Sequence, residues 1–476
     1  MPELPDRKTA FFEWFSAVLE QAGITDLRYP VKGLNVWPPY GFLARRLLDR
    51  ALREAVEPLG YQEVSFPTLI PETELAKESE HIKGFESQVY WVTHGGTTPL
   101  DVRLCLRPTS ETAMYPIFSL WIRSHRDLPL RVYQVVNVFR YETKTTRPLL
   151  RVREIHFFEG HTVQTDETAA DRQVSDDLRS FARIAQEAAL PYLLCRRPDW
   201  DKFPGAHYSI AFDVPFAEGR TLQVGTVHHY RDNFSRPYGI SFELEDGSRA
   251  FAHQTTYGLS ERLLGAILGG HGDDRGLVFP PPLAPVQVVV IPIPGKEGRE
   301  GVEAYAGALV EELQRAGIRS KVDGGPDRPG AKFFTWEARG VPLRLEVGQR
   351  EVSSGNLSWT DRLGGRGKVP RTDLVPGVSQ ALEQFHRRLH LRAQETFAAQ
   401  LSVAQRMDDL TPPGHVYLVA WCGKQDCGHR IEEKVQGGLL GTLEGELPKV
   451  LEGRPPSPCV ACGDARARWA AAGRPL

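Results

Sequence analysis

Two oppositely charged side chains near residue 140 have the spacing of one face of a strand. Arg140 and Glu142 are separated by a single residue, so both point to the same side of an extended chain. An arginine in such a place can bind a phosphate through paired hydrogen bonds, and a neighbouring carboxylate can bind an amine or orient a base. Arg147, Arg151 and Arg153 follow closely. Substrate binding and a cross-strand ion pair on an exposed sheet face explain this segment equally well.

Three further segments combine polar groups that could contact a substrate. The turn-like segment 107–112 places hydroxyls next to a carboxylate, which suits the binding of a cationic amine. Segment 223–229 puts polar groups into a strand flanked by apolar residues, where a purely structural sheet would not want them. Segment 258–262 is predicted to open a helix, and Arg262 lies at that N-terminus, where anions are favoured. Each segment alone carries little weight.

The region around these segments, residues 1–282, is predicted to be an α+β domain with an antiparallel sheet. Apolar residues recur at helical spacing from Phe42 to Leu59, and Gly60 ends that helix. Strands are indicated at 61–66, 130–140, 153–162 and 222–227. Because these elements alternate without regular βαβ units, an antiparallel sheet is favoured.

A proline-rich break at 279–285 precedes a predicted α/β domain at 286–385. The largely β-branched run 286–291 suits a strand buried on both faces. A helix is indicated at 302–315, with strands at 319–322 and 341–347, which is the pattern of a compact α/β unit. A later predicted helix carries basic residues for which a solvated helix face is favoured slightly over RNA contact: Arg387, Arg388, His390 and Arg392.

Composition places the chain among ordinary globular enzymes. It has 476 residues, of which 41% are hydrophobic and 25% charged, and such a length predicts about two to four domains. No run approaches the roughly 18 apolar residues of a membrane span, and the first residues lack the layout of a signal peptide. We therefore expect a cytoplasmic enzyme. The net charge of −2 does not indicate a nucleic-acid binder, although a local basic surface would be sufficient.

The six cysteines are unevenly placed. Cys105 and Cys195 are isolated, and a disulfide framework is not expected in a large chain without a secretory signal. The other four lie in a predicted small α+β domain at 395–476, as a C-x4-C pair and a later C-x2-C pair: Cys422, Cys427, Cys459 and Cys462. Four thiolates can close a tetrahedral structural zinc site. Reduced cysteines without a metal are the alternative.

In this order the polar segments resemble the three signature motifs of class II aminoacyl-tRNA synthetases. The helix and strand that end at Pro67 resemble the first motif, a dimerisation element in that class. Segment 139–142 with its arginine-bearing loop resembles the second, and 258–262 with the following helix resembles the third. The His-Ile-Gly-His and Lys-Met-Ser-Lys-Ser signatures of class I are absent from the sequence, as is the P-loop pattern.

Within that class the chain resembles prolyl-tRNA synthetases of the archaeal and eukaryotic-like form. The segments typical of that family are 107–111, 159–162, 225–229, 271–273 and 336–342, and the resemblance extends to the cysteines, so it covers nearly the whole chain. It implies an enzyme that activates L-proline with ATP to prolyl-adenylate and pyrophosphate, and then transfers proline to the 3' end of tRNA(Pro). It also implies a homodimer, Mg²⁺ and structural zinc.

The resemblance implies a role for each site residue. The proline carboxylate attacks the α-phosphorus of ATP directly, so positioning and charge neutralisation matter most and no side-chain nucleophile is required. Arg140 and Arg262 are the implied catalytic residues. Those implied to bind proline are Thr109, Glu111, Arg140, Phe157, Glu159, His161 and His228. Those implied to bind ATP are Arg140, Glu142, Arg151, Val152, Gln223, Thr226, Ser260 and Arg262, with Gln223 and Thr226 facing either the nucleotide or its magnesium.

The α/β domain resembles the anticodon-binding module of the same family. Glu337, Arg344, Arg350 and Glu351 match the positions that members use to read proline anticodons. Arginine can pair with guanine edges, and carboxylates can accept hydrogen bonds from base amines. As surface residues, these four could equally have no contact with RNA.

Three positions depart from the family pattern. Relatives often have tryptophan where Phe157 stands and serine where Val227 stands, and both replacements are expected to leave the pocket apolar. Relatives of this form commonly end in an aromatic residue, whereas this chain ends in Pro475-Leu476. That ending puts any contact between the C-terminus and the active site in doubt.

Two other functions fit the sequence less well. The related threonyl enzymes hold zinc in the active site and have a cysteine in the loop that matches 107–111, where this chain has none. A synthetase-like paralogue without catalysis would usually lose its phosphate-binding arginines, but Arg140, Arg151 and Arg262 are all present. No editing insertion is expected either, because only 163–222 separates the second-motif strand from the strand of Gln223.

Overall fold

The computed structural model describes residues 4–76, 88–295, 298–411 and 414–476. Its α-helices are α1 Phe11–Gln21, α2 Pro39–Val56, α3 Glu72–Ala76, α4 Glu111–Trp121, α5 Glu167–Glu187, α6 Ser235–Tyr238, α7 Arg262–His271, α8 Arg299–Arg315, α9 Pro329–Ala338, α10 Gln349–Ser354, α11 Leu374–Gln400 and α12 Gln425–Val435. Among the described residues, none of the helices combines the length and the apolarity needed to cross a membrane.

The strands of the first half are β1 Gln62–Glu63, β2 Leu69–Pro71, β3 Tyr90–Gly95, β4 Thr98–Leu106, β5 Leu130–Phe139, β6 Glu154–Gln164, β7 Leu193–Arg196, β8 Tyr208–Pro215, β9 Arg220–Arg231, β10 Ser241–Glu243, β11 Arg249–Phe251 and β12 His253–Ser260. Those of the second half are β13 Val288–Pro292, β14 Ser320–Val322, β15 Leu343–Val347, β16 Asn356–Asp361, β17 Arg366–Pro370, β18 Leu401–Ala404, β19 Val416–Trp421, β20 Gly438–Leu443 and β21 Arg468–Pro475.

One large sheet forms the scaffold of the chain. Its strand order is β1-β5-β6-β12-β9-β8-β7-β20-β21-β19-β18, and every neighbouring pair from β5 to β19 is antiparallel. Parallel pairs occur where β1 meets β5, where β18 meets β19, and where β21 also pairs with β9. Helices α5 and α7 pack on β9 and bury Phe181 and Leu263 in the largest core. The predicted α+β class with an antiparallel sheet is confirmed.

The α/β unit has a five-stranded mixed sheet in the order β14-β13-β15-β16-β17. Strand β13 pairs in parallel with both β14 and β15, as expected for strands joined by the crossover helices α8 and α9. Val288 to Ile291 are completely buried, because helices or neighbouring elements cover both faces of β13. The prediction of an α/β unit with a doubly buried first strand is confirmed.

The C-terminal segment extends the large sheet instead of forming a separate one. Strand β20 pairs with β7, and β21 pairs with β20, β19 and β9. The predicted domain limits at residues 385 and 395 both fall inside α11, which runs without interruption from the α/β unit to β18. The limits 1–282, 286–385 and 395–476 stay a prediction.

Several local predictions are corrected by the structure. Segment 61–66 contains only the two-residue strand β1, although Gly60 ends the preceding helical stretch as predicted, with a left-handed φ of 87°. Segment 258–260 does not open a helix. It ends β12, because its backbone pairs with β6 as far as the Ser260–Phe157 position, and α7 begins only at Arg262.

The basic face of α11 is mostly engaged with the rest of the chain. Arg388 pairs with Asp361, and the Arg392 guanidinium donates to the carbonyl of His271. His390 Nε2 lies 2.8 Å from the carbonyl oxygen of Gln186, and Arg387 and Arg388 are both exposed to solvent. Three of the four residues thus contact the rest of the chain, and the slight preference for a solvated face over RNA contact stays a prediction.

Candidate active site

All of the residues that were predicted to bind proline or ATP line one cavity of about 330 Å³. The cavity lies over neighbouring strands of the large sheet, where side chains of every second residue point to the same face. Strand β6 supplies Phe157, Glu159 and His161, and β9 supplies Gln223, Thr226 and His228. Thr109 lies in the loop before α4, and Glu111 is the first residue of that helix. The segment between β5 and β6 supplies Arg140, Glu142, Arg151 and Val152. Ser260 ends β12 and Arg262 begins α7.

Three of these residues, Arg140, Arg151 and Arg262, form what we call the arginine cluster. Burial and, to a smaller extent, the charges of Arg140 and Arg151 together lower the pKa of Arg262 to about 10. Backbone carbonyls hold two of the guanidinium groups: Arg140 Nε donates to Pro108 over 3.1 Å, and Arg262 Nε donates to Leu150 over 2.7 Å. A cluster of buried like charges has a favourable partner in a polyanion.

Two buried glutamates, Glu111 and Glu159, form what we call the carboxylate pair. Thr109 donates its hydroxyl hydrogen bond to Glu111, and Ser110 donates to Glu159. Burial opposes ionisation of Glu159, but hydrogen bonds from His161 and other neighbours outweigh it and lower the pKa. Burial lowers the pKa of Arg140, whereas the charges of both glutamates raise it. The lowered pKa of Glu159 keeps its carboxylate ionised, and an ionised carboxylate near Arg140 favours a cationic group.

His228 is neutral near pH 7. Burial lowers its pKa to about 3, and the charges of Arg197 and His161 act in the same direction. Its Nδ1 lies 2.7 Å from Ser209 Oγ and its Nε2 lies 3.0 Å from Thr226 Oγ1. The imidazole is therefore an uncharged group of the cavity wall that does not repel a positive charge.

The cavity is also lined by residues for which no role was predicted. These are Gln88, Leu149, Leu150, Ile155, Arg197, Asp201, Phe203, Ser209, Val224, Gly225, Thr256, Tyr257, Gly258 and Glu261. Most are neighbours of predicted residues in sequence. Five of them lie outside every predicted motif: Gln88, Arg197, Asp201, Phe203 and Ser209. Of these, Arg197 could have been noticed in the sequence as part of an arginine pair at the end of an apolar strand.

Two of the departures from the family pattern are resolved by the structure. Val227 does not contribute to the pocket, because its side chain points to the opposite face of β9 and lies in the core. The C-terminal residue Leu476 donates its backbone N–H to Thr221 over 2.9 Å, next to the start of β9, and it does not line the cavity. Phe157 does line it.

The four predicted anticodon residues have different surroundings in the α/β unit. Arg344 pairs with Glu346 over 2.9 Å and stacks on Phe333 at 3.8 Å from the ring centre. Glu337 pairs with Arg275, which follows α7 in the chain, over 2.5 Å. Glu351 caps α10 by accepting from the Gly348 N–H over 3.0 Å, and Arg350 is exposed.

The four C-terminal cysteines come together as predicted. The Sγ atoms of Cys422, Cys427, Cys459 and Cys462 all lie within 4.8 Å of one another, and Cys422 and Cys462 are 3.7 Å apart. Zn–S bonds of about 2.3 Å in a tetrahedron place the sulfurs about 3.8 Å apart. A backbone hydrogen bond at Asp464 lowers the pKa of Cys462 to about 7, which favours the thiolate. This four-cysteine cluster fits a closed, structural metal site without a place for a substrate.

Comparison with known families agrees with this geometry. Residues 90–271 match the family described as tRNA synthetase class II core domain (G, H, P, S and T), and residues 287–381 match the family described as anticodon binding domain. The antiparallel sheet, the arginine-lined cavity and these matches define a class II aminoacyl-tRNA synthetase.

Comparison with individual proteins identifies the family within this class. The chain is 50% identical to the proline–tRNA ligases of Thermococcus kodakarensis and Pyrococcus horikoshii, over 95% of this chain and 95% of each relative. It belongs to the proline–tRNA ligase family, as predicted, and not to the threonyl family.

Two solved structures have the same fold over the whole chain. Giardia lamblia prolyl-tRNA synthetase in complex with prolyl-adenylate gives a TM-score of 0.93 at 32% identity, with 100% of both chains covered. The Cryptosporidium parvum prolyl-tRNA synthetase complexed with halofuginone and AMPPNP gives 0.91 at 30% identity, covering 100% of this chain and 97% of that one.

The four-cysteine cluster predicts about one zinc ion per chain. Replacing Cys459 by serine removes one thiolate, so zinc measured by inductively coupled plasma spectrometry is expected to fall and the C-terminal segment to lose stability. Cys105→Ser is the matched control, because Cys105 is a buried free thiol outside the cluster. Protein purified without chelator that holds no metal and has normal stability would contradict the site.

Proposed function

We propose that this cavity catalyses both steps of proline–tRNA ligation: formation of prolyl-adenylate and pyrophosphate from L-proline and ATP, and then transfer of proline to the 3' end of tRNA(Pro). The observation that carries this proposal is the presence of the arginine cluster and the carboxylate pair in one cavity. The arginine cluster suits a triphosphate, and the carboxylate pair suits an amino group. The prolyl-adenylate and AMPPNP complexes of the two solved relatives support the same substrates.

Arg140 is the residue that we place at the reacting centre. The charge of Arg140 lowers the pKa of Arg262, and the charges of Glu111 and Glu159 raise the pKa of Arg140. Arg140 is therefore close both to the arginine cluster and to the carboxylate pair. There it would hold both the proline carboxylate and the α-phosphate in the displacement of pyrophosphate. Arg151 and Arg262 would hold the outer phosphates, where charge develops as pyrophosphate leaves.

The other residues complete the two binding regions. Glu111 and Glu159 would neutralise the secondary ammonium of proline, with Thr109, Phe157, His161 and the neutral His228 around the ring. Glu142, Val152, Gln223, Thr226 and Ser260 would face the nucleotide or its magnesium. Mg²⁺ bound with ATP would neutralise phosphate charge. The carboxylate of proline attacks phosphorus directly, so no covalent enzyme intermediate is needed.

We further propose a cytoplasmic homodimer formed through the first motif. An apolar groove of about 600 Å³ there is lined by residues that include Phe66, Leu69, Pro116 and Trp121, and the side chains of Leu69 and Trp121 are 42% and 47% exposed. Such a surface suits a protein interface. Glu337, Arg344, Arg350 and Glu351 would read the anticodon, and zinc would occupy the four-cysteine cluster.

The chain is also proposed to lack an internal editing centre. The stretch 163–222 consists mainly of α5, β7 and β8, and both strands belong to the large sheet. The use of this stretch by the large sheet and by α5 supports the proposal that it holds no inserted domain.

Replacing Arg140 by alanine should abolish proline-dependent ATP–pyrophosphate exchange while the fold and the dimer persist. The variant lacks a charge-assisted contact that strengthens in the transition state, so a loss of about a hundredfold or more is expected. Arg131→Ala is the control, because Arg131 lies on the preceding strand and pairs with Gln173. Exchange within about tenfold of the parent would contradict the role of Arg140.

The lack of an editing centre predicts measurable activation of alanine and little hydrolysis of Ala-tRNA(Pro). Alanine is smaller than proline, so bulk cannot exclude it, and each methylene lost in an apolar pocket discriminates by only about 1–3 kcal/mol. Exchange with alanine and deacylation of purified Ala-tRNA(Pro) by the enzyme alone are the two measurements. Rapid deacylation that persists in Arg140→Ala would reveal an editing centre elsewhere in the chain.

A further inference from the structure

Arg197 connects the cavity to the C-terminal segment. It directly follows β7, and its side chain is only 6% exposed. One guanidinium nitrogen, Nη2, donates to Asp213 Oδ1 on β8 and to Gln223 Oε1 on β9, both over 2.8 Å. The other, Nη1, donates to the carbonyl oxygen of Leu440 on β20 over 2.5 Å. A single side chain thus ties three strands together at the wall of the cavity.

The strands are arranged to make this contact possible. The pairing of β8 with β9 shifts register next to Asp213, which brings Asp213 opposite Gln223, and such an irregularity redirects side chains. Strand β20 approaches β7 so closely that a Cβ atom on Gly441 would lie 2.0 Å from the carbonyl oxygen of Arg196. Glycine at this position therefore allows the Leu440 carbonyl to reach Arg197.

The contact also decides which way the Gln223 amide faces. A guanidinium group only donates hydrogen bonds, so the atom of Gln223 next to Arg197 must be the oxygen. The amide nitrogen is then the end that is directed away from Arg197. An N–H donor suits an oxygen of the nucleotide. A magnesium ion is a poor neighbour for Gln223, because the oxygen that it would need lies 2.8 Å from a positive charge.

We propose that Arg197 is a positioning residue, which orients Gln223 so that its amide nitrogen donates to an oxygen of ATP. The carbonyl of Leu440 in turn fixes Arg197, so the C-terminal segment supports the nucleotide site. This inference rests on the proposed function, which left open whether Gln223 faces the nucleotide or its magnesium ion. It favours the nucleotide.

Pyrophosphate exchange at varied ATP, proline and Mg²⁺ tests this proposal. Arg197→Met is expected to raise the KM for ATP about tenfold, as for the loss of a hydrogen bond to a charged group, while the KM for proline changes less than about threefold. In a Gln223→Ala background, the same replacement should change the KM for ATP less than about twofold, because Arg197 acts through Gln223. Arg197→Lys, which keeps a charged donor, should be intermediate.

The control is Arg196→Met. Arg196 lies next to Arg197 on the same β7–β20 seam and pairs with Glu444 over 2.7 Å, but it does not line the cavity, so its loss should leave the KM for ATP unchanged. Melting temperatures of all variants separate misfolding from mispositioning.

A second variant keeps the test decisive if Arg197→Met fails to fold. Gln223→Glu places a carboxylate oxygen where the amide nitrogen was, so it should raise the KM for ATP more than Gln223→Ala does, and excess Mg²⁺ should not lower it. The proposal would be overturned by a Gln223→Glu enzyme whose KM for ATP equals that of the parent and whose Mg²⁺ requirement is smaller. It would also be overturned if Arg197→Met raised the KM for ATP equally in the parent and in the Gln223→Ala background.

A parent enzyme without proline-dependent exchange would instead overturn the proposed function.

Discussion

Three guanidinium groups share one buried cavity, and like charges in such a place repel one another. Burial and the neighbouring charges of Arg140 and Arg151 lower the pKa of Arg262 to about 10, which still leaves it charged near neutral pH. The cluster persists because backbone carbonyls hold Arg140 and Arg262 and because the carboxylate pair lies near Arg140. In the proposed function this unfavourable charge is offset when a triphosphate binds, and the fixed guanidinium groups need no reorganisation at that moment.

The large sheet is the scaffold that makes this arrangement rigid. Strands β6, β12 and β9 are antiparallel neighbours, so alternate residues present Phe157, Glu159 and His161 beside Thr226 and His228. The sheet does not stop at the catalytic region, because β21 pairs with β9 and with β20. The C-terminal segment with its four-cysteine cluster is therefore part of the same hydrogen-bonded sheet as β9, which carries Gln223, Thr226 and His228.

Sequence patterns could predict those features that depend on neighbours along the chain. The spacing of Arg140 and Glu142 left substrate binding and an ion pair equally open, and the family resemblance supplied the set of residues that the structure brings to the cavity. Arg197 was missed because its role depends on Leu440, which is 243 residues away. Segment 258–260 was misassigned because its pairing with β6 cannot be seen from local composition. The ion pairs of the basic residues of α11 were not predicted for the same reason, since Asp361 and Asp273 become their neighbours only in the folded chain.

The central claim is that the arginine cluster and the carboxylate pair together select ATP and a small secondary amine. ATP–pyrophosphate exchange with the purified enzyme and each of the twenty amino acids in turn measures this directly. The account predicts that proline supports by far the fastest exchange at equal concentration. Exchange that threonine drives as fast as proline, or no exchange with any amino acid, would contradict it.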